Sequence, residues 1–135
     1  MKKIFSSTSP ETSLSIVIFL LRAAAGAMMI PHGYDKLTKF AEYAPGFSDP
    51  FHIGRSLSLA LLIFAEFFCS MFLIVGLLTR MACIPLIIGM SVALFYSHHG
   101  DLFGDGQLAA LFLTIFIAIF FMGPGKLSMD RMISK

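Results

Sequence analysis

Charged side chains are scarce in this sequence. Asp, Glu, Lys and Arg together make up 13% of the 135 residues, about half of the roughly 25% that is usual in soluble domains. Hydrophobic residues reach 57%, more apolar surface than a soluble core of this size can bury. The composition therefore excludes an ordinary soluble domain and predicts a protein of the lipid bilayer. A formal net charge of only +2 gives no indication of nucleic-acid binding.

Motifs that bind cofactors or activate nucleophiles are also missing. The sequence contains no glycine-rich nucleotide fingerprint, P-loop, haem-attachment motif or nucleophile elbow. Its two cysteines, Cys69 and Cys83, form no C-x-x-C pair and are predicted at different depths, which is typical of small apolar fillers. Any redox chemistry would therefore need a diffusible cofactor or one held by a partner protein.

Long apolar runs account for most of the composition, at residues 14–30, 57–78, 81–96 and 108–122. A spanning helix needs about 20 mostly apolar residues, which the later runs reach alone or with uncharged flanks. Arg22 interrupts the first run and argues for a retained helix rather than a signal peptide. We predict an all-α protein, a single domain over residues 1–135 forming an antiparallel bundle of four transmembrane helices. Re-entrant hairpins are the alternative, but they would expose irregular backbone to lipid.

The distribution of basic residues predicts the orientation of this bundle. Four spans place both termini on one side, together with six basic residues: Lys2, Lys3, Arg80, Lys126, Arg131 and Lys135. The other side, which we call the outer side, carries three: Lys36, Lys39 and Arg55. Because cytoplasmic segments are richer in Lys and Arg, we expect both termini in the cytoplasm.

Two shorter patterns predict further structure. Residues 36–44 place apolar side chains at helical spacing, which predicts an amphipathic helix at the membrane interface or an extension of the first span. The prolines of "PGFSDP" at residues 45–50 should end it. Small residues at 23–27 and at Gly89 and Ala93 predict that the first and third spans pack closely.

Two charges, Arg22 and Glu66, lie inside the apolar runs. Each falls near the midpoint of its run, so both are expected near the bilayer midplane. An isolated charge there costs at least ~2.5–3.5 kcal/mol, and pairing offsets much of that cost. The sequence therefore predicts an Arg22–Glu66 ion pair. Such a pair either fixes the helix register alone or lines a functional pocket, since ionisable residues inside membranes are functional candidates.

Polar residues from three helices converge on the outer side. Together with the predicted ion pair they form a candidate pocket, whose residues are Arg22, Glu66, His32, Lys36, Tyr96, His98, His99 and Gln107. The simplest alternative is a set of interfacial side chains, with histidines stabilised at helix C-termini. A proton-coupled site, a histidine metal site and a haem held by His32 and His98 are further alternatives. No H-x-x-x-H spacing or Cys/His cluster supports a metal, and none is assigned.

The chain resembles the DoxX family of small bacterial membrane proteins over nearly its whole length. The resemblance rests on "RAAAG", "HGYDKL", "SDPFHIG", "FAE", "VGLLTRMA" and "GPGKLSMD" in this order. It implies a four-helix protein of the inner membrane, associated with oxidoreductase systems that include the quinone-reducing, thiosulfate-oxidising type. The family-like polar pattern falls on Arg22, His32, Gly33, Lys36, Glu66 and Arg80. Many relatives carry a glutamate near Gln107, whereas this chain has an uncharged glutamine there. The absence of that charge puts an acid or base role at this position in doubt.

Three functions remain open. The chain is expected to be a subunit of a membrane redox system, binding a quinone or a small sulfur species in the Arg22/Glu66 pocket beside other membrane or periplasmic redox proteins. A second hypothesis is a non-catalytic membrane scaffold for such partners. A third is a small carrier that moves a solute or a proton along the polar path. Whether the protein is itself an enzyme is left open.

Overall fold

The regular structure of the chain is helical wherever it is described. The computed structural model describes residues 10–134, and Lys2, Lys3 and Lys135 of the predicted orientation lie outside that range. The helices are α1 (Glu11–Thr38), α2 (Phe40–Tyr43), α3 (Arg55–Val75), α4 (Thr79–Ser97), α5 (Gln107–Met122) and α6 (Met129–Ile133), with a 3₁₀ turn at Ala44–Gly46. The predicted all-α class is confirmed.

Among the described residues, three helices are long and apolar enough to cross a membrane. They are α1 with 28 residues, α3 with 21 and α4 with 19, and α5 is a shorter apolar helix of 16 residues. Large apolar side chains also cover the outside of the molecule, including Leu20, Met28, Met81 and Phe121. Apolar surface on this scale suits lipid rather than water.

The first loop begins as a continuation of α1. This helix passes through Pro31 and ends at Thr38, and a break at Lys39 separates it from α2. The predicted helical extension of the first span is confirmed, and the chain leaves helical structure after Gly46, within the proline-containing segment. Asp49 then receives hydrogen bonds from the backbone N–H groups of Ile53 and Gly54 and so shapes the entry to α3.

Glycines bring α1 against α3 at very short range. A Cβ atom on Gly33 would lie 2.7 Å from the backbone nitrogen of Phe67, and one on Gly26 would lie 2.8 Å from the carbonyl oxygen of Ser70. Residue numbers rise along α1 as they fall along α3, so the two helices are antiparallel. Gly89 likewise faces Leu62 of α3. The small residues do allow close packing, as predicted. Their partner is the second span, α3, so the predicted close contact between the first and third spans is wrong.

The core lies between α1, α3, α4 and α5. Fully buried side chains come from each of the four helices: Met29, Leu73, Leu86 and Phe116. Two stretches, Phe64–Cys69 in the middle of α3 and Val92–Ser97 at the outer end of α4, are wound as π-helix. Such wide turns shift the side chains that follow them and are frequent at functional sites.

We expect Gly33→Ala to destabilise the protein by about 1–3 kcal/mol, because the new methyl group would overlap backbone atoms that cannot move aside. Thermal or denaturant unfolding in a mild detergent measures this change. Gly46→Ala is the matched control, since a Cβ atom there meets nothing within 4 Å. Equal effects of the two substitutions would contradict the close approach of α1 to α3.

Candidate functional site

Arg22 lies against the end of α3 and not beside Glu66. Its side chain is completely buried, at 0% exposure. Nη1 donates hydrogen bonds to the carbonyl oxygens of Leu73 at 3.0 Å and Ile74 at 3.3 Å, and Nη2 donates to that of Leu127. The predicted Arg22–Glu66 ion pair is therefore wrong.

The register of α1 against α3 explains the difference. Gly33 lies beside Glu66, whereas Arg22 lies beside Ile74, which follows Glu66 by eight residues. Eight residues correspond to about 12 Å of helix. The prediction placed the midpoints of the two runs at one level, but α1 is displaced along α3, so that its outer part, at Gly33, reaches Glu66. The two charges thus occupy different levels.

The carbonyl groups at the end of α3 accept hydrogen bonds from Nη1 of Arg22, while Nε is buried without a hydrogen-bond partner among the described residues. Gly76 adopts the left-handed conformation at φ 74°, and the N–H of Leu77 donates to the carbonyl of Phe72. This glycine-ended cap still leaves carbonyl groups of the last turn available. Because the C-terminus of a helix carries partial negative charge, these carbonyls stabilise the guanidinium without any carboxylate in contact with it.

Asp130 completes this inner end of the molecule. Its carboxylate accepts hydrogen bonds from the backbone N–H groups of Leu78 at 2.8 Å and Thr79 at 2.9 Å, at the start of α4. Burial alone would raise the pKa of Asp130, but the bonds from Thr79 and Leu78 and the charge of Arg22 hold it below its ordinary value. We call Arg22, Gly76, Thr79 and Asp130 the inner cluster. Sequence analysis missed Asp130, although it ends the "GPGKLSMD" motif.

A cavity of about 220 Å³ lies at the opposite, outer end. Its titratable lining residues are His32, Glu66, His98 and Asp105. The remaining walls are apolar: Met29, Met90, Ala93, Leu108, Ala109 and Phe112. We call this space the outer cavity.

The structure separates the eight predicted pocket residues into two groups. Glu66, His32 and His98 line the outer cavity, and Lys36 reaches it through Glu66. The other four, Arg22, Tyr96, His99 and Gln107, do not line it. Asp105 does and was not predicted as a pocket residue, because its loop position gives no periodic signal.

Glu66 lines the outer cavity and forms an ion pair with Lys36, which does not line it. Lys36 Nζ lies 2.9 Å from Glu66 Oε1, and their side chains are 20% and 5% exposed respectively. Lys36 Nζ also donates to the carbonyl oxygen of His32 at 3.3 Å. Lys36 is therefore the partner that allows the carboxylate of Glu66 to be buried, and it ties that carboxylate to the His32 turn of α1.

The two π-helical stretches and a glycine position the remaining lining residues. Glu66 lies within the π-helical stretch of α3, and His98 follows directly after that of α4. A Cβ atom on Gly106 would lie 2.7 Å from the carbonyl oxygen of Asp101 and 3.3 Å from Cβ of His98. The loop can therefore fold tightly against α4 only with glycine there, and this brings Asp105 to the cavity.

The outer cavity combines hydrogen-bond donors and acceptors with apolar walls. Carboxylates at Glu66 and Asp105 accept hydrogen bonds, and the imidazoles of His32 and His98 can donate or accept them. Within residues 10–134, no group of three or more His, Cys, Asp or Glu side chains is arranged to hold a metal ion. The arrangement suits a small organic ligand with polar atoms at its edge.

Residues 17–99 match the family model named DoxX. The chain belongs to the DoxX family. The match contains Arg22, Lys36, Glu66 and both histidines of the outer cavity, and ends before Asp105. The DoxX chain is also 31% identical, over 118 residues, to a protein of Haemophilus influenzae described as uncharacterized, covering 82% of this chain and 86% of that relative. No solved structure matches the chain.

Double-mutant cycles distinguish the two possible partners of Glu66. We expect Lys36→Leu and Glu66→Leu to couple by about 0.5–3 kcal/mol, because each substitution alone leaves an uncompensated charge. Arg22→Leu and Glu66→Leu should instead be additive within about 0.5 kcal/mol, since the two side chains share no contact. Free energies of unfolding in a mild detergent provide the measurement. A stronger coupling of Glu66 to Arg22 than to Lys36 would refute this assignment.

Proposed function

We propose that this DoxX-family protein is a subunit of a membrane redox system whose outer cavity binds a quinone head group. The observation that carries the proposal is the ion pair between the buried Glu66 and the partly exposed Lys36, at the wall of a cavity that also contains His32 and His98. Burying a carboxylate costs free energy, and a role in packing specificity or in ligand binding would account for its presence here. The charged pair at this site is therefore Lys36 and Glu66, not the Arg22–Glu66 pair that the sequence predicted.

Four membrane spans, with both termini in the cytoplasm, belong to the same proposal. Helix α5 has 16 residues, close to the lower limit of about 17 for a span, and its immediate flanks are uncharged. Within the described residues the basic side chains are evenly divided between the two ends: Arg80, Lys126 and Arg131 against Lys36, Lys39 and Arg55. The cytoplasmic bias therefore depends on Lys2, Lys3 and Lys135.

Labelling of introduced cysteines tests this topology. In a variant with Cys69→Ala and Cys83→Ala, we expect Asp101→Cys to react with a membrane-impermeant maleimide in intact cells. Ser7→Cys should react only after the membrane is permeabilised, because the N-terminus is placed in the cytoplasm by the basic residues near it. The cysteine-free parent must remain unlabelled. Reaction of both introduced cysteines from the same side would show that an even number of spans separates them. That result would contradict the proposed topology.

The size of the outer cavity favours a small ligand. Its volume of about 220 Å³ is below the roughly 300–1,000 Å³ typical of sites for drug-sized molecules. A ring-sized head group fits this class of cavity, with its tail leaving toward the lipid. The sequence contains no dinucleotide-binding motif. Electrons would therefore come from a cofactor held by a partner protein.

The charges of the outer cavity favour a quinone over a sulfur oxyanion. The carboxylates of Glu66 and Asp105 repel an anion, whereas quinone carbonyls need only donors, which the imidazoles of His32 and His98 can provide. After reduction, the quinol hydroxyls need acceptors, and the same carboxylates can accept from them. A site with both donors and acceptors suits both redox forms of one ring.

The carrier hypothesis receives less support from the geometry. Buried apolar side chains separate the outer cavity from the inner cluster, among them Ala25, Met29 and Cys69. A solute or proton would have to cross this layer without titratable groups along α1. The scaffold hypothesis makes no demand on the cavity and is distinguished by the experiment below.

We expect the purified protein to bind a short-chain benzoquinone probe, and His98→Ala to weaken this binding roughly tenfold because a hydrogen bond to the ring is lost. Quenching of a fluorescent quinone analogue or native mass spectrometry measures the affinity. His99→Ala is the matched control, since this neighbouring histidine does not line the cavity. Absence of probe binding, or equal effects of the two substitutions, would contradict the proposal. Copurification of a stoichiometric partner without probe binding would favour the scaffold.

A further inference from the structure

A second cavity, of about 470 Å³, lies at the inner end of the molecule. It adjoins the inner cluster and contains two arginines, Arg80 at the start of α4 and Arg131 in α6. Asp130, Leu78 and Met81 also line it. We call this space the inner cavity. The proposed quinone site makes no use of it, so its chemistry is independent of the outer cavity.

Arg80 is held in place with most of its donors available. Its Nε donates to the carbonyl oxygen of Phe120 at 3.2 Å. A Cβ atom on Gly123, where φ is 84°, would lie 2.9 Å from Nη2, so the guanidinium lies closely over this glycine. Among the contacts of residues 10–134, Nε alone of its nitrogens donates a hydrogen bond. A fixed guanidinium with two available nitrogens suits two-point binding of a phosphate.

The inner cavity is positively charged. In the described part of the chain, no carboxylate lies within salt-bridge distance of Arg80 or Arg131. Asp130 is the acidic residue of the lining, but its carboxylate already accepts hydrogen bonds from Leu78 and Thr79. Its charge is also attracted to the buried Arg22. Two arginines against the single carboxylate of Asp130 leave the lining with an excess of positive charge, which attracts an anion.

Apolar side chains surround these arginines. Leu78 and Met81 belong to the lining, and Met81 is 65% exposed. Phe121 is 74% exposed. It comes directly after Phe120, whose carbonyl oxygen accepts the hydrogen bond from Arg80. A soluble anion would gain nothing from these side chains, whereas the acyl chains of a lipid would bury them.

We propose that the inner cavity binds the phosphate group of an anionic phospholipid. Arg80 and Arg131 contact the phosphate, and the acyl chains lie along Leu78, Met81 and Phe121. Basic pockets between spanning helices are a recognised type of site for anionic lipid head groups. The bound lipid would connect α4, the end of α5 and the C-terminal tail, which approach one another at this cavity.

Binding to lipids of defined charge tests the proposal. The full chain, purified in a mild detergent, is titrated with phosphatidylglycerol, with phosphatidylcholine and with inorganic phosphate, and bound lipid is counted by native mass spectrometry. We expect preferential retention of phosphatidylglycerol. Each arginine near a charged head group contributes roughly fivefold to affinity, so Arg80→Gln with Arg131→Gln should reduce binding by about 25-fold.

Controls separate this effect from general charge and from loss of folding. Arg55→Gln, at the outer end, should leave phosphatidylglycerol binding unchanged. Arg131→Gln alone should fold normally, because no hydrogen bond of its side chain to residues 10–134 is present, and should weaken binding about fivefold. The assignment to a phospholipid would be overturned by equal retention of both lipids, or by an effect of Arg55→Gln as large as that of Arg131→Gln. It would also be overturned if millimolar inorganic phosphate competed as effectively as lipid.

Discussion

The guanidinium of Arg22 determines how the helices of this protein meet. It is fully buried, and its partners are carbonyl groups at the end of α3 and in the C-terminal tail. A guanidinium at this depth has to be satisfied by several acceptors at once, and the end of a helix supplies them where its own hydrogen bonds run out. The requirement fixes the height of α1 against α3. The glycine contacts of Gly26 and Gly33 are possible only in that register.

The same register separates the polar groups of the molecule into two levels. The inner cluster neutralises Arg22 with helix dipoles and places Asp130 at the start of α4. The Glu66–Lys36 pair lies at the level of Gly33, beside the outer cavity. The charged side chains inside the molecule therefore have hydrogen-bond or ion-pair partners at their own level. The apolar layer around Met29 and Cys69 lies between the two levels. The outer cavity and the inner cluster are therefore separate parts of the fold.

The sequence predicted the helices well and the partners poorly. Long apolar runs determine which segments become helices, because hydrophobicity acts locally and the membrane selects for it. The helical content, the extension of the first span and the gathering of His32, His98 and Glu66 followed from them. The partner of Arg22 did not, because backbone carbonyls are present at every residue and leave no mark in a sequence. Asp105 was missed for a related reason, since a loop has no periodicity from which its direction could be predicted.

The contact between Arg22 and Leu127 has a consequence for biosynthesis. The two residues are 105 positions apart, so Arg22 enters the membrane long before the ribosome has made its last acceptor. Asp130, which accepts from the start of α4, arrives later still. During this interval α1 carries a charge whose partners are incomplete, and the α3–α4 turn lacks its acidic cap. The hydrogen bonds of the inner end are therefore complete only once the tail, the last segment to be made, has reached Arg22 and the start of α4.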